Sequence, residues 1–402
     1  MLLWSGQAAG ALGPQVALVA LPLLALRSLH ADAFEVSLLT FFGWLPYLLF
    51  SLPAGSAADR WNQRRLMILC DLGRLSLLLT VPILELAGKL ELPYLYLVVG
   101  VSGILTVLFT VCYRAQLPQL VSSTQLIDGN GKLGMGESIA EIAGPAFSGT
   151  LVGLVGAADT LFANAFTYAV SAATLGMIRV PDSAAKPSER KERVSLKTAM
   201  TAGLGFVMRE PILRSLLLCT CLSNFFVIAG TSIEVTFMLR DLNASALVIG
   251  LVYTGGSVGG LVAGALADRI SSRVGSARVI WLAMLLPGPL YLLMPLAVPG
   301  WGVIMYAVGL TALSANVTLF NTGAITYRQL VCPPESLNRV NAVYLWLSYG
   351  VIPLGSLSGG LIAAAAGLRP AMWVCALGMW SGSVVLLCSP LRRMRDLPTA
   401  AA

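Results

Sequence analysis

The sequence predicts an all-α polytopic membrane protein, with 12 transmembrane helices in two pseudo-symmetric six-helix bundles. Three observations carry this. Charged residues number only 45 of 402, whereas 57% of the chain is hydrophobic. A soluble chain has roughly a quarter of its residues charged, so 11% leaves too little polar surface to coat a water-soluble fold of this length. The apolar runs, Trp281–Met294 among them, are long and do not alternate. A membrane barrel would show stretches of about ten residues of alternating polarity, and a spanning helix needs about 20 apolar residues. Finally, the chain repeats itself at nearly one period. Composition thus excludes a soluble enzyme, a nucleic-acid-binding domain and a disordered regulator.

The segments follow in order. The first, 1–27, lacks the basic stretch and cleavage site of a signal peptide in Met1–Gly10, so it is expected to be retained as a helix. Next come 33–58, ending in a charged loop, 64–87, opening on Arg64 and Arg65, and 92–114, ending at Tyr113-Arg114. Segments 130–154 and 157–179 are joined by a tight turn and close the first half. The second half reads 212–238, 245–267, 277–297, 300–327, 338–366 and 369–391, its last pair again tightly joined. Between the halves, Pro181–Thr201 is the longest polar stretch, a cytoplasmic linker with an amphipathic continuation through Phe206 and Met208. The expected organisation is 1–180, a linker at 181–205, and 206–402.

Charge placement tests the topology. With both termini in the cytoplasm, internal loops and helix ends hold 22 of the 26 basic residues, leaving out only Arg27, Lys89, Arg240 and Arg369. That asymmetry is what the positive-inside rule expects. The net charge of +7 therefore reflects topology and implies a bilayer, not a nucleic acid, as partner.

The halves echo each other. LPAGSAADRWNQRR around Asp59 returns as VAGALADRISSR around Asp268, 209 residues later. Tyr113-Arg114 returns as Tyr327-Arg328 at an offset of 214, and Pro145 as Pro353 at 208. Paired halves of this kind are a recurring transporter architecture, with the substrate site at the repeat interface.

At these residues the chain resembles the major facilitator superfamily. Gly55-x-x-x-Asp59-Arg60-x-x-x-Arg64-Arg65 is similar to its signature loop, and Gly264-x-x-x-Asp268-Arg269-x-x-x-Arg273 to its echo. LLWSGQ, FVMREPILRSLLL, RQLVCPPESLNRVNAVY and SPLRRMRDLP narrow the resemblance to the drug/proton antiporter branch of macrolide efflux proteins and the enterobactin exporter. Asn62 and Gln63 depart from the loop pattern, and helix 1 has Pro14-Gln15 where this branch often carries an acid. The resemblance implies that Asp59 is a gate latch, able to pair with Arg60, Arg64 or Arg114 and to face the N-terminus of the eleventh predicted span, 338–366; Arg65 and Arg328 belong to the same gate set. A helix N-terminus gives such a contact about 0.3–1 kcal/mol. An interfacial charge cluster that only fixes topology is the competing reading.

Charges inside a bilayer are costly unless paired or solvated. Glu137 and Glu141, four apart, share one helix face, so both should not ionise easily and one should hold a proton near neutrality. That suits proton coupling; a helix-start role near Lys132 is the alternative for Glu137. Asp71 and Arg74, three apart, read as a structural ion pair. Glu234 would line an outer mouth or reach the interface. Gln15, Asn224, Asn316 and Asn321 fall on helices 1, 7 and 10, which the resemblance implies line the cavity; gluing helices together is the rival role. Gly144-Pro145-x-x-x-Gly149 resembles part of the antiporter motif that bends and closely packs a helix. Gly255, Gly256, Gly259, Gly260 and Gly264 offer a small-residue face.

Other signals fail. Gly129-Asn130-Gly131-Lys132 has Leu133 where a phosphate loop needs Ser or Thr. His30 is the single histidine, and the seven cysteines form no C-x-x-C, so neither a metal site nor a cofactor is expected. The sequence therefore reads as a monomeric secondary transporter of the inner (plasma) membrane, exporting an amphiphilic drug, macrolide or siderophore type of molecule by alternating access against a proton gradient. A nutrient importer or symporter and a polytopic membrane enzyme or sensor are the alternatives.

Overall fold

The computed structural model describes residues 2–58, 62–120, 126–177 and 196–398. The described chain is helical: α1 (Leu2–Arg27), α2 (Ala33–Ala58), α3 (Gln63–Leu86), α4 (Leu92–Leu120), α5 (Leu126–Val155) and α6 (Ala157–Met177), then α7 (Leu196–Arg209). The rest comprises α8 (Pro211–Arg240), α9 (Ala246–Val274), α10 (Ser276–Leu285), α11 (Gly288–Tyr291), α12 (Leu293–Leu296), α13 (Val303–Val331), α14 (Pro334–Ala366) and α15 (Leu368–Leu387). Lipid offers no partner to backbone N–H and C=O groups, so a spanning apolar run must satisfy them within itself, as a helix. Among the described residues, eleven stretches are long and apolar enough to cross a membrane. The twelfth predicted segment, α6, is not among them, because it spends Thr160, Asn164, Tyr168 and Ser171 on its buried face.

Two compact units divide the chain. The first is Met1–Lys191 with Ala244–Thr254, and the second is Glu192–Asn243 with Gly255–Ala402. In the first, α1 packs on α5 and α6, α2 on α4, and α3 on α4 and α6. The second repeats that pairing: α8 packs on α14 and α15, and α10 on α13 and α15. Gly256 and Gly259 of α9 lie against Leu310 and Thr311 of α13, as α2 lies on α4. The two tight turns foreseen in the sequence are single glycines, Gly156 (φ 97°) and Gly367 (φ 95°), in a backbone region that side chains with a Cβ avoid.

Helix α7 is the amphipathic continuation of the linker. It docks through Gly203, where a Cβ would lie 2.7 Å from the Arg339 carbonyl oxygen, and through buried Val207. The predicted span 277–297 is broken into α10, α11 and α12. Pro287 and Pro289 lack the N–H that would bond four residues back, which frees the carbonyls of Ala283 and Leu285. Each finds a side-chain donor: Asn316 Nδ2 for Ala283, and Trp380 Nε1, at 3.1 Å, for Leu285. Gly288 admits the indole, since a Cβ there would lie 1.9 Å from Trp380 Cδ1. At the start of α10, the C-terminal tail satisfies the first amides. Ser276 N donates to Asp396 Oδ1 (3.1 Å), and Ala277 N and Arg278 N donate to the Arg395 carbonyl (3.1 and 3.3 Å). The Asp396 carboxylate also meets the positive end of the helix dipole.

Candidate functional site

In the first unit, α5 presents a stripe of buried residues every fourth position: Gly136, Ala140, Gly144, Ser148 and Val152. The stripe seats on α1. Ser148 Oγ donates to the Val16 carbonyl at 3.0 Å, and a Cβ on Gly144 would lie 2.4 Å from Gln15 Cβ. Gln15 is thereby held over Gly144, three residues on from Glu141. Glu137 and Glu141 lie off this stripe and both are exposed. Their one-turn spacing puts Glu141 within reach of the Glu137 charge. Pro145 cannot donate to the Glu141 carbonyl, so the turn that carries this carboxylate lacks one backbone hydrogen bond. The same helix face admits close backbone approach: Cβ atoms on Gly149 and Gly250 would lie 2.3 Å from the Ala246 and Pro145 carbonyl oxygens.

Of the signature-loop residues, Asp59 and Arg60 lie outside the described residues, as do the surroundings of Gly55 and of the Arg114 side chain. Arg64 donates from Nε to the Leu175 carbonyl at 2.8 Å and from Nη2 to the Gly176 carbonyl, closing the last turn of α6. A cation at a helix C-terminus also meets the negative end of the dipole. Arg65 is exposed, its backbone N–H capped by Asn62 Oδ1 at 3.1 Å. In the second unit Gly264 touches Thr318, and Asp268, Arg269 and Arg273 are exposed near the end of α9. Arg328 stacks its guanidinium 4.3 Å from the Tyr344 ring centroid, while neighbouring Tyr327 donates to Glu210 Oε1 at 3.1 Å.

The polar residues expected in a cavity have different settings. Asn224 donates from Nδ2 to the Ser348 carbonyl at 3.2 Å, and Asn316, 4% exposed, is the partner of Ala283 already described. Both also line a cavity of about 90 Å3 inside the second unit, together with exposed Asn321. Glu234, 1% exposed, is packed within the helices and accepts from Tyr306 Oη at 3.0 Å; neither an interfacial nor a mouth position describes it. Asp71 and Arg74 are a buried ion pair, the arginine held between the Phe109 and Tyr168 rings at 4.6 and 4.4 Å. Tyr291, Met284 and Met379 also line the cavity and were missed in the sequence. The clustered prolines of 287–295 were the available signal.

The model of a transporter family described as transmembrane secretion effector matches residues 1–401. The chain belongs to that family, within the major facilitator superfamily. It is 24% identical to the multidrug efflux pump Tap of Mycolicibacterium fortuitum, over 100% of this chain and 97% of that protein. It is 21% identical to macrolide efflux protein A of Streptococcus pyogenes, over 98% and 96%. The match to the MFS-type transporter YfiS of Bacillus subtilis, 25% identical, spans 61% of this chain and 57% of that protein. Among solved structures the nucleoside transporter NupG superposes with a TM-score of 0.77 at 12% identity, over 96% of this chain and 96% of that one. A bacterial homologue of the iron transporter ferroportin gives 0.75 at 15%, over 96% and 97%. These two likenesses concern the fold. The family member is thus a multi-pass membrane transporter. Among the described residues, no group of three or more His, Cys, Asp or Glu side chains could hold a metal ion.

Proposed function

We propose that this transporter exports an amphiphilic small molecule of drug, macrolide or siderophore type from the cytoplasm, in exchange for protons and by alternating access. The observation that carries the reading is the match along the whole chain to a protein named a multidrug efflux pump. It acts as a monomer in the plasma (inner) membrane with both termini cytoplasmic, and the proton gradient, not a cofactor, supplies the energy. Glu141 is the proton carrier, sharing the proton with Glu137. An ionised carboxylate at membrane depth is tolerated only where water or a partner reaches it. Protonation removes that cost and so favours a different conformation from the one that substrate favours. The expected result of Glu141→Gln is loss of proton-driven efflux in vesicles while counterflow exchange persists. Unchanged gradient-driven efflux in that variant would remove Glu141 from the coupling role.

A further inference from the structure

We infer that the cavity of the second unit is a subsite for the neutral, hydrogen-bond-accepting end of the exported molecule, with the Tyr291 hydroxyl as its donor. The inference rests on the export reading and extends it to the chemistry of the substrate. Among the described residues, no charged side chain lines the cavity. A formal charge entering it would be desolvated without a counter-charge, so the part of a ligand held there is neutral.

Three of the polar groups around the cavity are already committed. The amide of Asn316 goes to Ala283, that of Asn224 to Ser348, and the Thr220 hydroxyl to the Leu216 carbonyl at 2.8 Å. The Ser223 hydroxyl, beside the Cys219 thiol, also has no hydrogen-bond partner among the described residues, but its residue is only part-buried. Tyr291 differs. It is 1% exposed, and its hydroxyl makes no hydrogen bond among the described residues. A buried hydroxyl ordinarily has a partner, so one left over in a cavity wall is a donor set for something that enters. The broken span explains its position: Asn316 and Trp380 take care of the carbonyls freed by Pro287 and Pro289, leaving the short turn Gly288–Tyr291 to place the phenol against the cavity. A ketone, ester or ether oxygen is the matching acceptor. The other walls include Met284, Met379 and Phe320. Methionines adapt to irregular apolar shapes, which suits a substrate range wider than one compound.

Tyr291→Phe removes the hydroxyl and keeps the ring. The test uses the purified full chain in proteoliposomes with two probes: erythromycin, rich in neutral carbonyl and ether oxygens, and tetraphenylphosphonium, a lipophilic cation without a hydrogen-bonding group. Loss of one neutral hydrogen bond should raise the Kd for erythromycin roughly three- to tenfold, and shift the erythromycin-to-tetraphenylphosphonium ratio by the same factor. A wild-type-like melting temperature in the variant ties that shift to the hydroxyl. If the wild-type chain exports both probes and Tyr291→Phe alters neither, or weakens both equally, this inference falls alone. If the wild-type chain neither binds nor exports either probe, the export reading falls and takes this one with it.

Discussion

The side-chain amide of Asn316 donates to the carbonyl oxygen of Ala283, the oxygen that Pro287 leaves without its helical partner. A carbonyl freed inside a membrane helix cannot turn to water, so the break in this span depends on a donor from α13. Trp380 does the same for Leu285 from α15, and Arg369 Nη1 reaches the Pro295 carbonyl at 2.8 Å. The breaks are thus held from neighbouring helices.

A double-mutant cycle follows. Asn316→Ala should destabilise the protein by about 1–3 kcal/mol, the cost of a buried unpaired carbonyl. In a Pro287→Ala background the backbone can supply its own N–H to Ala283, and the cost of Asn316→Ala should shrink by more than half. Thermal melting of the four proteins in detergent measures the coupling. Equal costs in both backgrounds would show that Asn316 acts by packing or by lining the cavity alone.

The cysteines give a second expectation. Five of the seven are buried, Cys221 is half-buried and Cys388 is exposed just beyond α15. Burial pushes the Cys332 thiol up; Arg328 pulls against it and Glu210 adds to it, so its thiolate is scarce as well as covered. N-ethylmaleimide applied to the folded protein should therefore label the Cys388 peptide first. Raising the pH from about 7 to about 8.5 should not open Cys332, because reaction needs both thiolate and access. Mass spectrometry of the digested protein reads this directly; early labelling of Cys332 would mean that the α13–α14 connection opens readily.

Much of the fold was legible because lipid leaves a chain few choices. Runs of about 20 apolar residues had to be helices, and α2 (Ala33–Ala58) falls on the predicted 33–58. The break in 277–297 was not foreseen, since a proline-rich span reads as apolar until the fate of each freed carbonyl is asked. The carboxylates Glu137 and Glu141 stood out by charge alone. Asn316 stood out for its polarity, but polarity does not reveal a partner; that depended on which carbonyl lay opposite α13. Tyr291 was not singled out: the prolines around it mark a break in the span, but which side chain the break turns toward the cavity shows only in the fold.

Asp71 and Arg74 provide the last prediction. Both are nearly inaccessible, the guanidinium sandwiched by Phe109 and Tyr168 and also 3.4 Å from Thr106 Oγ1. Desolvating two charges offsets much of their attraction, so the pair itself adds little, whereas removing one partner strands the other. Arg74→Leu and Asp71→Leu should each cost about 3–5 kcal/mol. The double variant Asp71→Leu/Arg74→Leu should recover most of that loss, because two apolar side chains then fill the same space among the helices. Melting temperatures and the folded fraction recovered from membranes measure it. A double variant no more stable than either single one would place the importance of Arg74 in its stacking between the two rings, with the charge of Asp71 secondary.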